Sequence, residues 1–189
     1  MKTLKTCILL LICQISIATA QTCQTSITET TPTSRFSDNG DGTITDNTTL
    51  LIWKRCPESM AFSDNATPAN LTDDSCTAST NLSGYDYQEA LQHVANLNSS
   101  GGYAGKNDWR VPNIKELNSI IELSCHSPAI NLTVFPDTPT TVNAIVDRYI
   151  SSSYMLSLTS YYRAVNFDQG DNGWYGRLTG SYLRLVRSK

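Results

Sequence analysis

Ten residues, Asp108-Trp109-Arg110-Val111-Pro112-Asn113-Ile114-Lys115-Glu116-Leu117, constrain this chain more than any other stretch. Pro112 disfavours helix just before it and fixes the direction in which the chain enters one. The Asn113 side chain can accept from the first free N–H groups of a helix. Glu116, three residues on, can reach back to the N–H of the cap itself. The spacing predicts a helix from Asn113 to Leu123, with Ile114, Leu117, Ile120 and Ile121 turned inward. Trp109 is expected to fill the core where helices meet sheet, because tryptophan is mostly buried. Asp108 and Arg110 are expected to bond backbone or each other, since buried charges need partners.

The start of the chain sets its compartment. Lys2 and Lys5 precede an apolar run from Cys7 to Ile17, and Ala18-Thr19-Ala20 supplies small residues for cleavage. Residues 1–20 read as a secretory signal peptide, with Gln21 the first mature residue. No later run is apolar enough to span a bilayer. The expected location is secreted, periplasmic or on the surface of a bacterium. Both charges in the leader are lysines, so the mature chain keeps 12 basic and 17 acidic residues, a net charge near −5. That balance argues against a nucleic-acid partner.

Four cysteines remain after cleavage: Cys23, Cys56, Cys76 and Cys125. An even count in an exported chain reads as two disulfides, and four cysteines allow three pairings. The expected bridges are Cys56–Cys76, closing a polar loop, and Cys23–Cys125, tying an N-terminal arm over residues 21–34 to the end of the second helix. A zinc site does not suit the spacing, with no Cys-x-x-Cys and only His93 and His126 as imidazoles.

The rest reads as one domain over residues 35–189. Arg35 to Trp53 reads as strand and turn in alternation, with Asp38-Asn39-Gly40-Asp41-Gly42 a dense turn signal. Residues 57–84 read as a long surface loop. Asp86 and Glu89 form a second capping box, opening a helix to Asn98 with Ala90, Leu91, Val94 and Leu97 inward. Gly101-Gly102 ends it. The chain reads as loop from Pro128 to about Asn143. Strand-like runs follow at Tyr161 to Phe167, Trp174 to Leu178 and Tyr182 to Val186.

These pieces, in order, resemble the C-terminal domain family of the Legionella collagen-like protein. The resemblance covers about Arg35 to Arg187. It is carried by Phe36, the turn Asp38 to Thr43, Leu50 to Trp53, Tyr87 to Leu91, Gly105 and Asp108 to Leu117. Pro128-Ala129-Ile130-Asn131, Phe135-Pro136, Ser151-Ser152-Ser153 and Arg184-Leu185-Val186-Arg187 complete it. Two positions depart from the family pattern: Thr49-Leu50-Leu51-Ile52 precedes Trp53, and Ile150 stands where the family often has tryptophan. The resemblance implies an α+β, C-type-lectin-like fold, with two helices packed on a twisted antiparallel sheet and long disulfide-pinned loops. It also implies, loosely, adhesion to sulfated glycans. Functions are grafted onto folds, so the site must carry the argument.

The last third offers the best binding surface. Tyr161, Tyr162, Arg163, Trp174, Tyr175, Arg177, Tyr182 and Arg184 mix aromatic rings with guanidinium groups. Such groups stack sugars and hold carboxylate or sulfate. Tyr161, Arg163, Trp174, Tyr175, Arg177 and Arg184 are the expected ligand contacts. Asp38, Asn39, Asp41 and Asp46 form a weak calcium candidate. Ser37 and Thr48 occupy the end positions where carboxylates would stand, and a hairpin turn explains the same residues. No other cofactor is expected. Catalysis has no motif behind it: His93 and His126 lack a nucleophile in context, and Ser151 to Ser153 lacks a nucleophile elbow. The expected function is an exported binding module for a surface glycan or protein partner, and not an enzyme. A structural envelope module and, third, a carbohydrate-active enzyme with paired carboxylates are the other readings.

Overall fold

A computed structural model describes residues 21–64, 70–78, 84–140, 148–155 and 160–189. The signal peptide expected over residues 1–20 lies outside the described residues, as do parts of the two expected loops. Along the chain run β1 (Thr22–Cys23), a 3-10 turn (Thr33–Arg35), β2 (Phe36–Asp38), β3 (Thr43–Asp46) and β4 (Leu51–Lys54). Next come β5 (Met60–Ser63), β6 (Ser75–Ala78), α1 (Tyr87–Ser99), α2 (Ile114–Asn118) and β7 (Cys125–His126). β8 (Tyr149–Tyr154), β9 (Tyr161–Asn166), β10 (Asp171–Gly176) and β11 (Val186–Ser188) complete the order.

The strands form four antiparallel sheets: β11-β4-β3-β2, β10-β9-β8, β5-β6 and β1-β7. This corrects the expected C-type-lectin-like α+β fold. Among the described residues strand outweighs helix and is divided among four sheets, and the second of the two helices is a single short turn-and-a-half.

Alternation builds the four-stranded sheet. Ile44 lies opposite Trp53, and Trp53 opposite Val186, with all three fully buried. Ser37, Thr45, Ile52 and Arg187 form the neighbouring cross-strand row on the other face. The β2–β3 turn needs its glycines. Gly42 has φ +80°, and a Cβ there would lie 2.9 Å from the Phe62 ring and closer still to the Tyr103 hydroxyl.

Two apolar clusters hold the sheets together. Phe36, Ile44, Trp53, Leu117, Phe135 and Phe167 belong to one. Ala90, Val94, Trp109, Ile150, Tyr162 and Leu185 belong to the other. α1 therefore packs on the second cluster and α2 on the first. The segment Tyr182 to Val186 runs between them and is buried throughout. Its backbone ties the sheets: Ile150 N–H donates to Tyr182 O, Lys54 N–H to Leu185 O, and Arg110 and Val186 exchange both bonds. The expected strand over Tyr182 to Val186 is thus a buried connector, and β11 begins only at Val186.

Both capping boxes form, at Asp86 with Glu89 and at Asn113 with Glu116. α1 buries Ala90 and Val94, while Leu91, expected inward, is 44% exposed. α2 stops at Asn118 instead of running to Leu123. Ile120 and Ile121 are still buried, but through i−3 turns to Leu117 and Asn118. The chain leaves the helix there because Glu122 N–H bonds Ala129 O and Cys125 must pair with Cys23 in the β1–β7 ladder. The expected loop over residues 57–84 contains the β5–β6 hairpin. Both disulfides are formed, Cys23–Cys125 and Cys56–Cys76. The arm is pinned again at Glu122, whose carboxylate accepts from Thr30 N–H, Thr31 N–H and hydroxyl, and Ser124 N–H and hydroxyl. Among the described residues, no helix is long and apolar enough to cross a membrane.

Candidate functional site on the outer face of the three-stranded sheet

Antiparallel register places the candidate ligand residues. Trp174 lies directly opposite Arg163, and Gly176 opposite Tyr161. Arg163 and Tyr161 share a face of β9 by the two-residue repeat, so the three side chains stand together. Trp174 is 44% exposed and Tyr161 43% exposed. The Arg163 guanidinium lies 5.3 Å from the centre of the Trp174 ring. It also donates to the Asn172 side-chain oxygen, and Asn172 donates to Asn118 at the end of α2 at 3.3 Å. The Arg–Trp pair is thus oriented from both strands and from the helix. Beside it, Ser160, Tyr161, Gly176, Arg177, Leu178 and Thr179 line a depression of about 480 Å³. Arg177 is exposed and donates to Gln88 on α1 at 3.3 Å.

The other expected contacts lie elsewhere. Tyr175 is opposite Tyr162 and turns to the inner face, where the Arg148 guanidinium sits 3.9 Å from its ring centre. Tyr162 and Tyr182 are buried. Arg184 is fully buried, which corrects its place on a ligand surface. Its guanidinium donates to Lys54 O, Arg55 O and the Thr138 hydroxyl, and lies over the rings of Phe135 and Tyr149. Burial draws the Arg184 pKa below its usual value and drives that of Tyr149 up. The segment Tyr182 to Val186 lies between two sheets and has no outward face.

The Asp108–Leu117 stretch is scaffold. Trp109 is 2% exposed, and its ring N–H donates to Tyr103 O at 2.9 Å. Arg110 holds Glu116 with two bonds of 2.7 Å, and Glu116 also accepts from Asn113 N–H at 2.8 Å. Burial raises the Glu116 carboxyl, but those bonds outweigh it and leave the pKa lowered. Asp108 does not meet Arg110. It pairs with Arg187, at 2.7 and 3.1 Å.

The calcium candidates are engaged in their own turns. Asp38 accepts from Gly40 N–H, and Asp41 from Thr43 N–H and hydroxyl. Asn39 accepts from the Thr45 hydroxyl. Asp46 is buried and held by Arg35 at 2.7 and 2.5 Å, with Thr48 N–H and the Thr49 hydroxyl adding bonds. Burial works to raise its pKa, and these donors bring it below the usual carboxylate value. Among the described residues, no three His, Cys, Asp or Glu side chains group as a metal site.

Two features escape the sequence reading. The first is a polar groove of about 320 Å³ over the four-stranded sheet, with Ser37, Thr45, Arg187 and Lys106 among its lining. The strand period of Thr43-Ile44-Thr45 is visible in the sequence, but nothing local shows that Lys106 and Arg187 come to flank that face. The second is a buried carboxylate, Glu58, which binds Lys54 Nζ and His93 Nε2, each at 2.6 Å. Burial raises Glu58, yet His93 and Lys54 hold it below its usual value. No local motif joins Glu58 to His93, 35 residues further along the chain.

A family model described as the Lcl C-terminal domain matches residues 42–187. No curated protein and no solved structure matches the chain.

Proposed function

The chain belongs to the Lcl C-terminal domain family, and from that premise we propose that it is an exported binding module that takes an acidic or sulfated surface glycan on the outer face of β9 and β10. The observation that carries this reading is the exposed Trp174 with the Arg163 guanidinium over its ring and the exposed Tyr161 beside it. Sugar rings present C–H faces that stack on aromatic planes, and arginine binds sulfate or carboxylate with paired N–H donors. Arg163 is pre-oriented by Asn172, so little side-chain freedom is lost when an anion binds. Arg177, one residue past the end of β10, lines the adjoining depression with Tyr161 and supplies a second cation. Two disulfides and an arm pinned at Glu122 suit a chain that works outside the cytoplasm.

The test is an array of sulfated, acidic and neutral glycans probed with protein carrying both bridges, followed by a salt titration of each hit. Binding to sulfated members that weakens as salt rises, and that Arg177→Ala reduces, supports the reading. An empty array with correctly oxidised protein overturns it in favour of a structural or protein-binding envelope module.

A further inference from the structure

We propose that β10 is a self-complementary edge through which two copies of this chain join into one continuous sheet. β10 is the outer strand of β10-β9-β8, and among the described residues no strand lies beyond it. Its pairing to β9 is regular across all six residues, without the irregularity that interrupts β8 against β9. Arg177 N–H donates to Ser160 O at 2.8 Å, which extends the same register by one pair. Antiparallel ladders alternate, so Asp171, Gly173, Tyr175 and Arg177 turn their backbone groups to β9. Asn172, Trp174 and Gly176 turn theirs outward.

Natural edge strands are blunted by lysine, proline, a bulge or brevity. Asp171-Asn172-Gly173-Trp174-Tyr175-Gly176 has none of these and presents a half-exposed tryptophan. The occupant follows from charge and shape. A two-fold axis at Trp174 sets Asp171 opposite the partner's Arg177, and Arg177 opposite the partner's Asp171. It sets Gly173 opposite the partner's Tyr175 and Asn172 opposite the partner's Gly176. Both Asp171 and Arg177 are exposed. A shift of one residue either way places Asp171 opposite an uncharged residue, so the charges select one register. The outward backbone groups of Asn172 and Trp174 and the Gly176 N–H then form the hydrogen-bonded pairs, while Gly176 O keeps its bond from Thr179 N–H at 2.9 Å. An isologous contact of this kind closes at two copies.

The two Trp174 rings come to lie side by side on the face that carries Arg163 and Tyr161. If the glycan reading holds, the dimer presents one long aromatic and cationic strip with doubled valency. The dimer itself stands on the edge geometry and does not depend on that reading.

Analytical ultracentrifugation of the oxidised protein tests this, over concentrations from about 1 to 300 μM, where small interfaces associate. The expected result is a reversible monomer–dimer equilibrium. Asp171→Arg and Arg177→Asp should each weaken it by tenfold or more, and the double exchange should restore it to within about threefold. Gly176→Pro should abolish it by removing an outward N–H, where a Cβ meets only Thr179 Oγ1 at 3.5 Å. Near-ultraviolet circular dichroism confirms that each variant is folded. A monomer at every concentration overturns the proposal, even if β10 captures an unrelated peptide strand. A dimer indifferent to Asp171→Arg, or a double exchange that restores nothing, overturns it too. A negative glycan array leaves the sedimentation result unaffected, so the two claims fail separately.

Discussion

Glu122→Gln isolates the charge that fastens the N-terminal arm. Glu122 is 3% exposed and accepts from the backbone N–H and hydroxyl groups of Thr30, Thr31 and Ser124. Burial works to raise its pKa, but these donors hold it at about 2, against 4.5 in an open chain. The folded value is depressed, so the stabilisation is fully present above about pH 4.5 and is lost as pH falls towards 2. At roughly 1.4 kcal/mol per pH unit it amounts to about 3 kcal/mol at neutral pH. Glutamine keeps the shape but replaces one oxygen with an NH₂ group that faces donors. Urea unfolding at pH 7 should show Glu122→Gln less stable by about 2–4 kcal/mol. At pH 2.5 most of that difference should vanish, because the wild-type carboxyl is then partly protonated. A gap of the same size at both pH values, or none at pH 7, would refute the reasoning.

Arg184→Ala should cost about 3–5 kcal/mol, since it leaves two backbone carbonyls and the Thr138 hydroxyl without their donor and opens a cavity. Thermal melts check this, and any variant that folds should keep its ligand affinity. Replacing Cys56 and Cys76 together by alanine should cost about 3 kcal/mol on a 20-residue separation. Replacing Cys23 and Cys125 should cost nearer 5 on a separation of 102, and parallel urea titrations compare the two. Asn113→Ala, which removes acceptors for Lys115 and Glu116 N–H, should cost about 1 kcal/mol by the same assay.

Local chemistry was the legible part of this chain. Asn113 with Glu116 and Asp86 with Glu89 form their boxes because a capping box depends only on residues three apart. The hairpin turns at Gly40 and Gly42, and β9 and β10 to within a few residues, follow from turn chemistry and alternation. The end of α2 was not legible. Ile120 and Ile121 keep helical spacing, yet Glu122 and Cys125 draw the chain into contacts with Ala129 and Cys23. β8 hid behind Ser151, Ser152 and Ser153, a run with low strand propensity that is held by bonds to Arg163, Pro112 and Ile114. Arg184 shows the limit of periodicity. Alternation says which residues share a face, and only the packing of sheets says whether that face meets water. The family resemblance named the right domain, but the layered two-helix architecture it implied does not survive the four separate sheets.

The most direct test of the binding account is titration of the oxidised wild-type protein and Trp174→Ala with the strongest array ligand. Trp174 is half-exposed, so its loss should change stability by no more than about 1 kcal/mol. The account predicts an affinity drop of tenfold or more, worth about 1.4 kcal/mol, with the fold intact. An unchanged affinity in the folded variant would contradict it and place the ligand elsewhere on the chain.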